Sequence, residues 1–196
     1  MNEPKSLPAI LDFLESVDAF KSIERAAYLS DGTRHETDSD HAWHMALFAV
    51  LLHRELDIEC DLQHALELIL VHDLVEIHAG DAPAFDLAAN EGKTERERRA
   101  ADRLFSVLPE GHGSTLRAWW DEFEKQRSSE ARFALAMDRL QVLAQNVASG
   151  GRAWKDYGVT RPRVEERNAP VIEWWPGLRP TFEALYDRAD ARDCWG

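Results

Sequence analysis

The sequence has few cysteines, fewer basic than acidic residues and no long apolar run. Cys60 and Cys194, its two cysteines, are too few for a disulfide framework or a cysteine-rich zinc site. Apolar runs such as Leu47–Leu52 are far shorter than the roughly 20 residues of a membrane-spanning helix, so we expect no membrane partner. Lys and Arg number 23 against 36 Asp and Glu, and the net charge of −13 argues against binding of duplex nucleic acid. The rest of the composition is typical of a soluble globular protein, which we expect to be cytoplasmic.

Apolar residues recur at three- and four-residue steps through most of the chain, and this spacing predicts helices. A first helix follows Ser6, and a second, capped by Ser39, extends to about Leu56. A third is capped by Asp61 and continues through Glu76. Further helices are expected at about 94–109, 114–126, 129–148 and 180–193.

The segments between these helices are expected to be irregular. Residues 28–38 and 80–92 are interpreted as loops, and residues 152–180, rich in Trp, Pro and Gly, as an irregularly packed region. Val171 and Ile172 could form an isolated strand at most. We therefore expect an all-α fold in a single domain of residues 1–196, with a motif core at about 14–150 and the segment 152–196 packed on it.

Polar residues lie on the apolar stripe of the third helix. His72, Asp73 and Glu76 follow Ile69 at i+3, i+4 and i+7, so that all four residues share one face. Burial of imidazole and carboxylate groups costs several kcal/mol unless their charges and hydrogen bonds are compensated. A divalent cation would provide that compensation.

His41 and Asp138 interrupt the apolar stripes of two other helices in the same way. Two imidazoles and two carboxylates from three helices form a ligand set suited to Mn²⁺, Co²⁺, Fe²⁺ or Zn²⁺, and less to Ca²⁺. Two other interpretations stay open at this point. The histidines could be hydrogen-bonded core residues, and Asp138 could form only an ion pair with Arg139.

Three segments carry a more specific pattern: Glu36–Trp43, Val71–Asp81 and Ser129–Leu140. In this order and at this spacing, they resemble the HD-domain superfamily of metal-dependent phosphohydrolases, and within it the single-domain group that contains the 5′-deoxynucleotidases. The resemblance extends from about Leu14 to Leu185. It implies an HD-domain bundle of mostly antiparallel helices.

The resemblance also implies a metal centre and a reaction. His41, His72, Asp73 and Asp138 would bind one divalent cation, which could be Mn, Co, Fe, Zn, Ni or Mg. The substrate would be a small phosphorylated molecule, most simply a nucleoside or deoxynucleoside 5′-monophosphate, and metal-bound water would attack its phosphorus. His41 and Asp138 would also border the bound phosphate.

Three further residues acquire roles by the same resemblance. Glu76 would protonate the leaving sugar oxygen, Arg25 would orient the phosphate, and Asp81 would contact the sugar and favour a 2′-deoxy substrate. In some relatives Glu76 and Asp81 instead border a second cation. From the sequence alone, Arg25 could equally be a solvated surface charge. Relatives with strong deoxy preference have Trp after this Arg, whereas this chain has Ala26.

Two alternative functions remain compatible with the sequence. One is a phosphodiesterase or pyrophosphohydrolase that acts on another nucleotide, and the other is a metal-stabilised helical module that binds nucleotides without turnover. The resemblance and the Trp-rich C-terminal third also favour a homodimer.

Overall fold

The computed structural model describes residues 6–56 and 58–196, which contain eleven α-helices and two short β-strands. The helices are α1 (Leu7–Ser16), α2 (Asp38–Glu55), α3 (Leu62–Val71), α4 (Glu76–Ala79), α5 (Leu87–Asn90), α6 (Lys93–Phe105), α7 (His112–Lys125), α8 (Ser129–Ala148), α9 (Arg152–Asp156), α10 (Arg161–Trp174) and α11 (Arg179–Ala191). The strands are β1 (Glu24–Tyr28) and β2 (His35–Thr37), and 3₁₀ turns occupy Val17–Ser22 and Pro176–Leu178. The expected all-α class is confirmed. In the described part of the chain, every helix is too short or too polar to cross a bilayer.

Helix α8 is the centre of the bundle and packs against α2, α3, α7, α10 and α11. Its side chains are buried around most of its circumference, which is the pattern of a core helix. Phe133, Met137 and Leu140 are completely buried in it, and Met45 of α2 and Phe182 of α11 belong to the same apolar cluster. The position of α8 brings Asp138 and Gln141 next to the N-terminal half of α2.

The cap of helix α2 is Thr37, two residues before the predicted cap, Ser39, and Thr37 forms a capping box. The Thr37 hydroxyl accepts a hydrogen bond from the Asp40 amide at 3.2 Å, and the Asp40 carboxylate accepts one from the Thr37 amide at 3.0 Å. Asp38 is therefore the first helical residue, one turn before His41. The predicted cap of α3 is confirmed, because Asp61 accepts hydrogen bonds from the backbone amides of the first turn.

The structure corrects the interpretation of residues 28–38 as a loop. Strands β1 and β2 form an antiparallel hairpin with Glu24 opposite Thr37 and Tyr28 opposite His35. The turn passes through Gly32 at φ 69°, a conformation that glycine adopts without steric cost. Local sequence could not reveal strands this short, since β1 is supported by contacts with α8 and α9, and β2 by contacts with α2.

The region 152–180 is also more regular than expected. It contains α9 and α10, and Val171 and Ile172 lie in α10 rather than in a strand. Both side chains are buried at helical spacing from Val164 and Asn168, so tertiary packing decides the conformation. The predicted loop 80–92 contains the single turn α5.

Candidate metal and phosphate site

The structure brings together the four residues that the sequence suggested as metal ligands. His41 Nε2 lies 3.2 Å from Asp138 Oδ1 and 4.0 Å from Asp73 Oδ2, and His72 Nε2 lies 2.9 Å from the same Asp73 oxygen. One donor atom each from His41, His72 and Asp73 can be chosen so that all lie within 4.8 Å of one another. Helix α2, the turn after α3 and helix α8 therefore converge on one point.

This convergence depends on the end of α3. The predicted third helix does not continue to Glu76 but ends at Val71, and two tight turns follow. In these turns the Leu74 amide donates to the Val71 carbonyl at 3.2 Å, and the Glu76 amide donates to the Asp73 carbonyl at 2.9 Å. His72 and Asp73 thus lie at the junction between α3 and α4, facing α2.

Hydrogen bonds orient both imidazole rings so that Nε2 faces the centre. The His72 Nδ1 donates to the Ile69 carbonyl at 2.7 Å, and the His41 Nδ1 donates to Gln141 Oε1 at 2.6 Å. Gln141 is itself oriented because its Nε2 donates to Glu36 Oε1 at 2.7 Å. In a neutral ring with Nδ1 protonated, Nε2 carries a lone pair. Both Nε2 atoms are buried, and although Asp138 and Asp73 oxygens lie 3.2 and 2.9 Å away, neither atom forms a hydrogen bond of acceptable geometry among the described residues.

The carboxylates of this cluster are held in their ionised form. Against the effect of burial, the neighbouring His72 ring and the Arg25 guanidinium hold the pKa of Asp73 well below its ordinary value. The neighbouring His41 ring likewise lowers the pKa of Asp138 despite its burial. Two anionic oxygens and two buried, unpartnered imidazole nitrogens are a donor set that fits a divalent transition-metal ion.

Arg25 is placed at this cluster by strand β1, and its side chain is only 15% exposed. Its Nη1 donates to Asp38 Oδ1 at 3.0 Å and to Asp73 Oδ2 at 2.8 Å, and its Nε lies 3.9 Å from Glu36 Oε2. The interpretation of Arg25 as a solvated surface charge is therefore wrong. Arg25 fixes the position of Asp73 and presents positive charge to the site.

Glu76 and Asp81 face the same cavity, and both have perturbed acidity. Burial, followed by the negative charges of Asp73 and Asp38, raises the pKa of Glu76 to about 11. Burial also raises the pKa of Asp81. This shift favours the protonated, neutral form of Glu76, which is the form that can donate a proton.

These residues border a cavity of about 330 Å³, at the lower end of the range for small-molecule sites. Ala26 also borders it. The charged lining residues are Arg25, Asp73, Glu76, Asp81, Lys93, Glu97, Glu124, Asp138, Arg139 and Arg167. The cavity therefore adjoins the cluster, because His72, Asp73 and Asp138 form part of its wall.

Sequence reasoning missed three buried polar residues of this site. Asp38 precedes His41 by three residues, Gln141 follows Asp138 by three, and both lie on the stripes already singled out. The same helical periodicity could have found them. Glu36 lies outside a helix, and only its partner Gln141, 105 residues away, reveals its role.

The helical bundle and this His/Asp cluster define the class of protein. A family model described as "HD domain" matches residues 17–178, and the chain belongs to this family. This match confirms the resemblance to HD-domain phosphohydrolases that the sequence motifs indicated.

Comparison with individual proteins shows which relatives this chain is similar to. A Homo sapiens protein named 5′-deoxynucleotidase HDDC2 is 31% identical over 138 residues, which cover 70% of this chain and 66% of that protein. The Schizosaccharomyces pombe 5′-deoxynucleotidase hdd1 is 25% identical over 153 residues, 74% of each chain. A crystal structure described as a predicted metal-dependent phosphohydrolase from Magnetospirillum magnetotacticum MS-1 is 39% identical, covers 97% of this chain and 96% of that one, and superposes with a TM-score of 0.89.

Proposed function

We propose that this protein is a metal-dependent phosphohydrolase that releases phosphate from small nucleotides, with nucleoside or deoxynucleoside 5′-monophosphates as the first candidates. The observation that carries the proposal is the pair of buried imidazole Nε2 atoms, without hydrogen-bond partners among the described residues, beside the Asp73 and Asp138 carboxylates. The relatives named 5′-deoxynucleotidase support the substrate class.

His41, His72, Asp73 and Asp138 would hold one divalent cation. A cation bound there lowers the pKa of a water molecule and withdraws charge from phosphoryl oxygens. Several ions suit this nitrogen and oxygen donor set, and Mn²⁺, Co²⁺, Fe²⁺, Zn²⁺, Ni²⁺ and Mg²⁺ are the candidates.

The remaining residues of the cavity would orient the substrate and move a proton. Arg25, already held by Asp73, would direct its guanidinium toward the phosphate, and His41 and Asp138 would border the same group. Hydrolysis joins a water oxygen to phosphorus and breaks the bond between phosphorus and the sugar oxygen. Glu76, neutral because of its raised pKa, would give that oxygen its proton. Asp81 would contact the sugar.

A panel of ribo- and deoxyribonucleoside monophosphates tests this proposal with each candidate metal. We expect inorganic phosphate and nucleoside as products, and we expect Asp73→Asn to lower phosphate release at least about 100-fold, because it removes an anionic ligand. Asp121→Asn is the matched control, since Asp121 lies on α7, pairs with Arg117 and does not border the cavity.

The same panel separates the alternative functions. Cleavage of cyclic or pyrophosphorylated nucleotides in preference to monophosphates would favour the phosphodiesterase or pyrophosphohydrolase function. Metal-dependent stabilisation without cleavage of any phosphate ester would favour a nucleotide-binding module and would refute the proposed catalysis.

We also propose that the protein forms a homodimer through the outer face of α2. Trp43, Leu47 and Leu51 are 69%, 43% and 61% exposed there, and exposed apolar patches of this kind mark interfaces. Light scattering should show a dimer that Trp43→Glu converts to a monomer. Leu87→Lys, which changes an exposed leucine in α5, should leave the dimer intact. A wild-type monomer would refute this assignment.

A cytoplasmic location is a further proposal. Cys60 and Cys194 are both free thiols in the structure, and free thiols persist in reducing compartments. Cell fractionation should recover the protein with cytoplasmic markers, and recovery with secreted proteins would contradict this location.

A further inference from the structure

Two arginines border the cavity beside Asp138. Arg139 follows Asp138 on α8, and Arg167 reaches the cavity from α10. Neither arginine lies on the same secondary-structure element as Arg25, which belongs to β1. The cavity thus has arginines from three separate parts of the chain, and Lys93 of α6 adds a fourth positive group, which is paired with Glu97 at 3.3 Å.

These two guanidinium groups are poorly neutralised. Arg139 Nη1 lies 3.6 Å from Asp138 Oδ2, but Asp138 also lies 3.2 Å from His41 and belongs to the proposed metal-binding cluster. Arg167 forms no ion pair within 4.0 Å in the part of the chain that the structure describes. Partial loss of water and the nearby charge of Arg139 lower the pKa of Arg167 to about 10, so that it remains cationic at neutral pH.

Arg25 differs from this pair because its positive charge is already matched. A single Nη1 atom of Arg25 donates to both Asp38 and Asp73. An anion in the cavity would therefore meet its least neutralised positive charge at Arg139 and Arg167. Phe85 supports this arrangement, because the Arg167 guanidinium lies 5.8 Å from the centre of its ring.

We propose that Arg139 and Arg167 form a second anion-binding subsite, and that the preferred substrate carries a second phosphate in addition to the one removed. Guanidinium groups are well suited to phosphate recognition because they offer several donors in a fixed plane. The proposal rests on the proposed function, in which the scissile phosphate lies at the His/Asp cluster. It adds a substrate class: nucleotides that carry a second phosphate on another sugar oxygen, so that the bond broken is still one between phosphorus and a sugar oxygen.

Equilibrium binding tests the subsite without turnover. Calorimetry on the full chain in EDTA would compare adenosine 5′-monophosphate with adenosine 3′,5′-bisphosphate and adenosine 5′-diphosphate. We expect the 3′,5′-bisphosphate to bind about 10- to 100-fold more tightly than the monophosphate, the range for a charge-assisted hydrogen bond. An equal advantage for adenosine 5′-diphosphate would show that total charge alone governs binding and would overturn the proposal.

Substitutions show which side chains are responsible for the tighter binding of the ligand with a second phosphate. Arg167→Gln and Arg139→Gln should each reduce it to about twofold or less, whereas Arg167→Lys should retain part of it. Arg163→Gln is the matched control, because Arg163 also lies on α10 against Phe85, at 5.0 Å, but does not border the cavity. Equal binding of all three ligands, or an advantage that survives Arg167→Gln, would overturn the proposal. An equal loss in Arg163→Gln would also overturn it, since general surface charge would then explain the binding.

Kinetics with Mn²⁺ separate failure of this subsite from failure of the proposed function. If phosphate is released, the ratio of kcat/KM for the 3′,5′-bisphosphate to that for the monophosphate should fall about tenfold or more in Arg167→Gln and stay unchanged in Arg163→Gln. If no ligand is cleaved, the proposed hydrolysis fails, and the binding measurements still decide the subsite.

Discussion

Gln141 offers a sharp test of how the imidazole cluster is held. Its side chain is fully buried, and its two polar atoms connect His41 to Glu36 by hydrogen bonds of 2.6 and 2.7 Å. Gln141→Leu keeps most of the side-chain volume but removes both bonds. His41 Nδ1 and Glu36 Oε1 would then be buried without these partners.

The expected magnitude follows from these two bonds. A buried polar group left unsatisfied costs about 1–3 kcal/mol. Two such groups predict that Gln141→Leu lowers the free energy of unfolding by about 2–6 kcal/mol. Loss of the bond that orients His41 should also weaken metal binding about 10- to 100-fold, as for other residues that position a metal-binding histidine.

Urea unfolding measures the stability change, and calorimetric titration with Mn²⁺ measures the metal affinity. Gln145→Leu is the matched control, because Gln145 lies one turn later on α8 and donates to the Tyr28 carbonyl at 2.6 Å, away from His41. This control should lose stability but retain metal affinity. Unchanged Mn²⁺ affinity in a folded Gln141→Leu protein would refute the assigned positioning role.

Two further predictions concern acidity. Glu76→Gln should lower kcat by about 10²–10⁴-fold, because the amide cannot give a proton to the leaving oxygen. Thermal unfolding should show no loss of stability, since the neutral amide resembles the protonated acid. Steady-state assays with a nucleotide would contradict this role if turnover survived. Hydrogen bonds with Glu67 and Glu122 raise the pKa of His64 although burial opposes the charge. Because the pKa of His64 is higher in the folded state, the protonated ring stabilises the protein fully at pH values below its unfolded-state pKa, which is near 6.5. This stabilisation disappears as the pH rises through the folded-state pKa. The wild-type protein should therefore be more stable than His64→Gln by less than about 1 kcal/mol, with the largest difference near pH 5.5 and none in alkaline buffer. A difference in stability that does not change with pH would exclude the ion pairs of His64 as its source.

Local sequence determined the helical class and the choice of candidate ligands. Apolar spacing located α2 and α8, because helical periodicity depends only on neighbouring residues. Polar residues on those stripes, such as His41 and Asp138, attracted attention because burial of such groups requires compensation. The hairpin and α10 were missed, since their conformations depend on packing against the rest of the bundle.

Tertiary structure alone decided the contacts that give the cavity its chemistry. Arg25 and Asp73 are 48 residues apart in the chain, and Glu36 and Gln141 are 105 apart, yet each pair forms a hydrogen bond. The raised pKa of Glu76 likewise depends on Asp38, which belongs to a different helix. Periodicity specifies which face of a helix is buried, but the distance between side chains of different helices is set only when those helices pack.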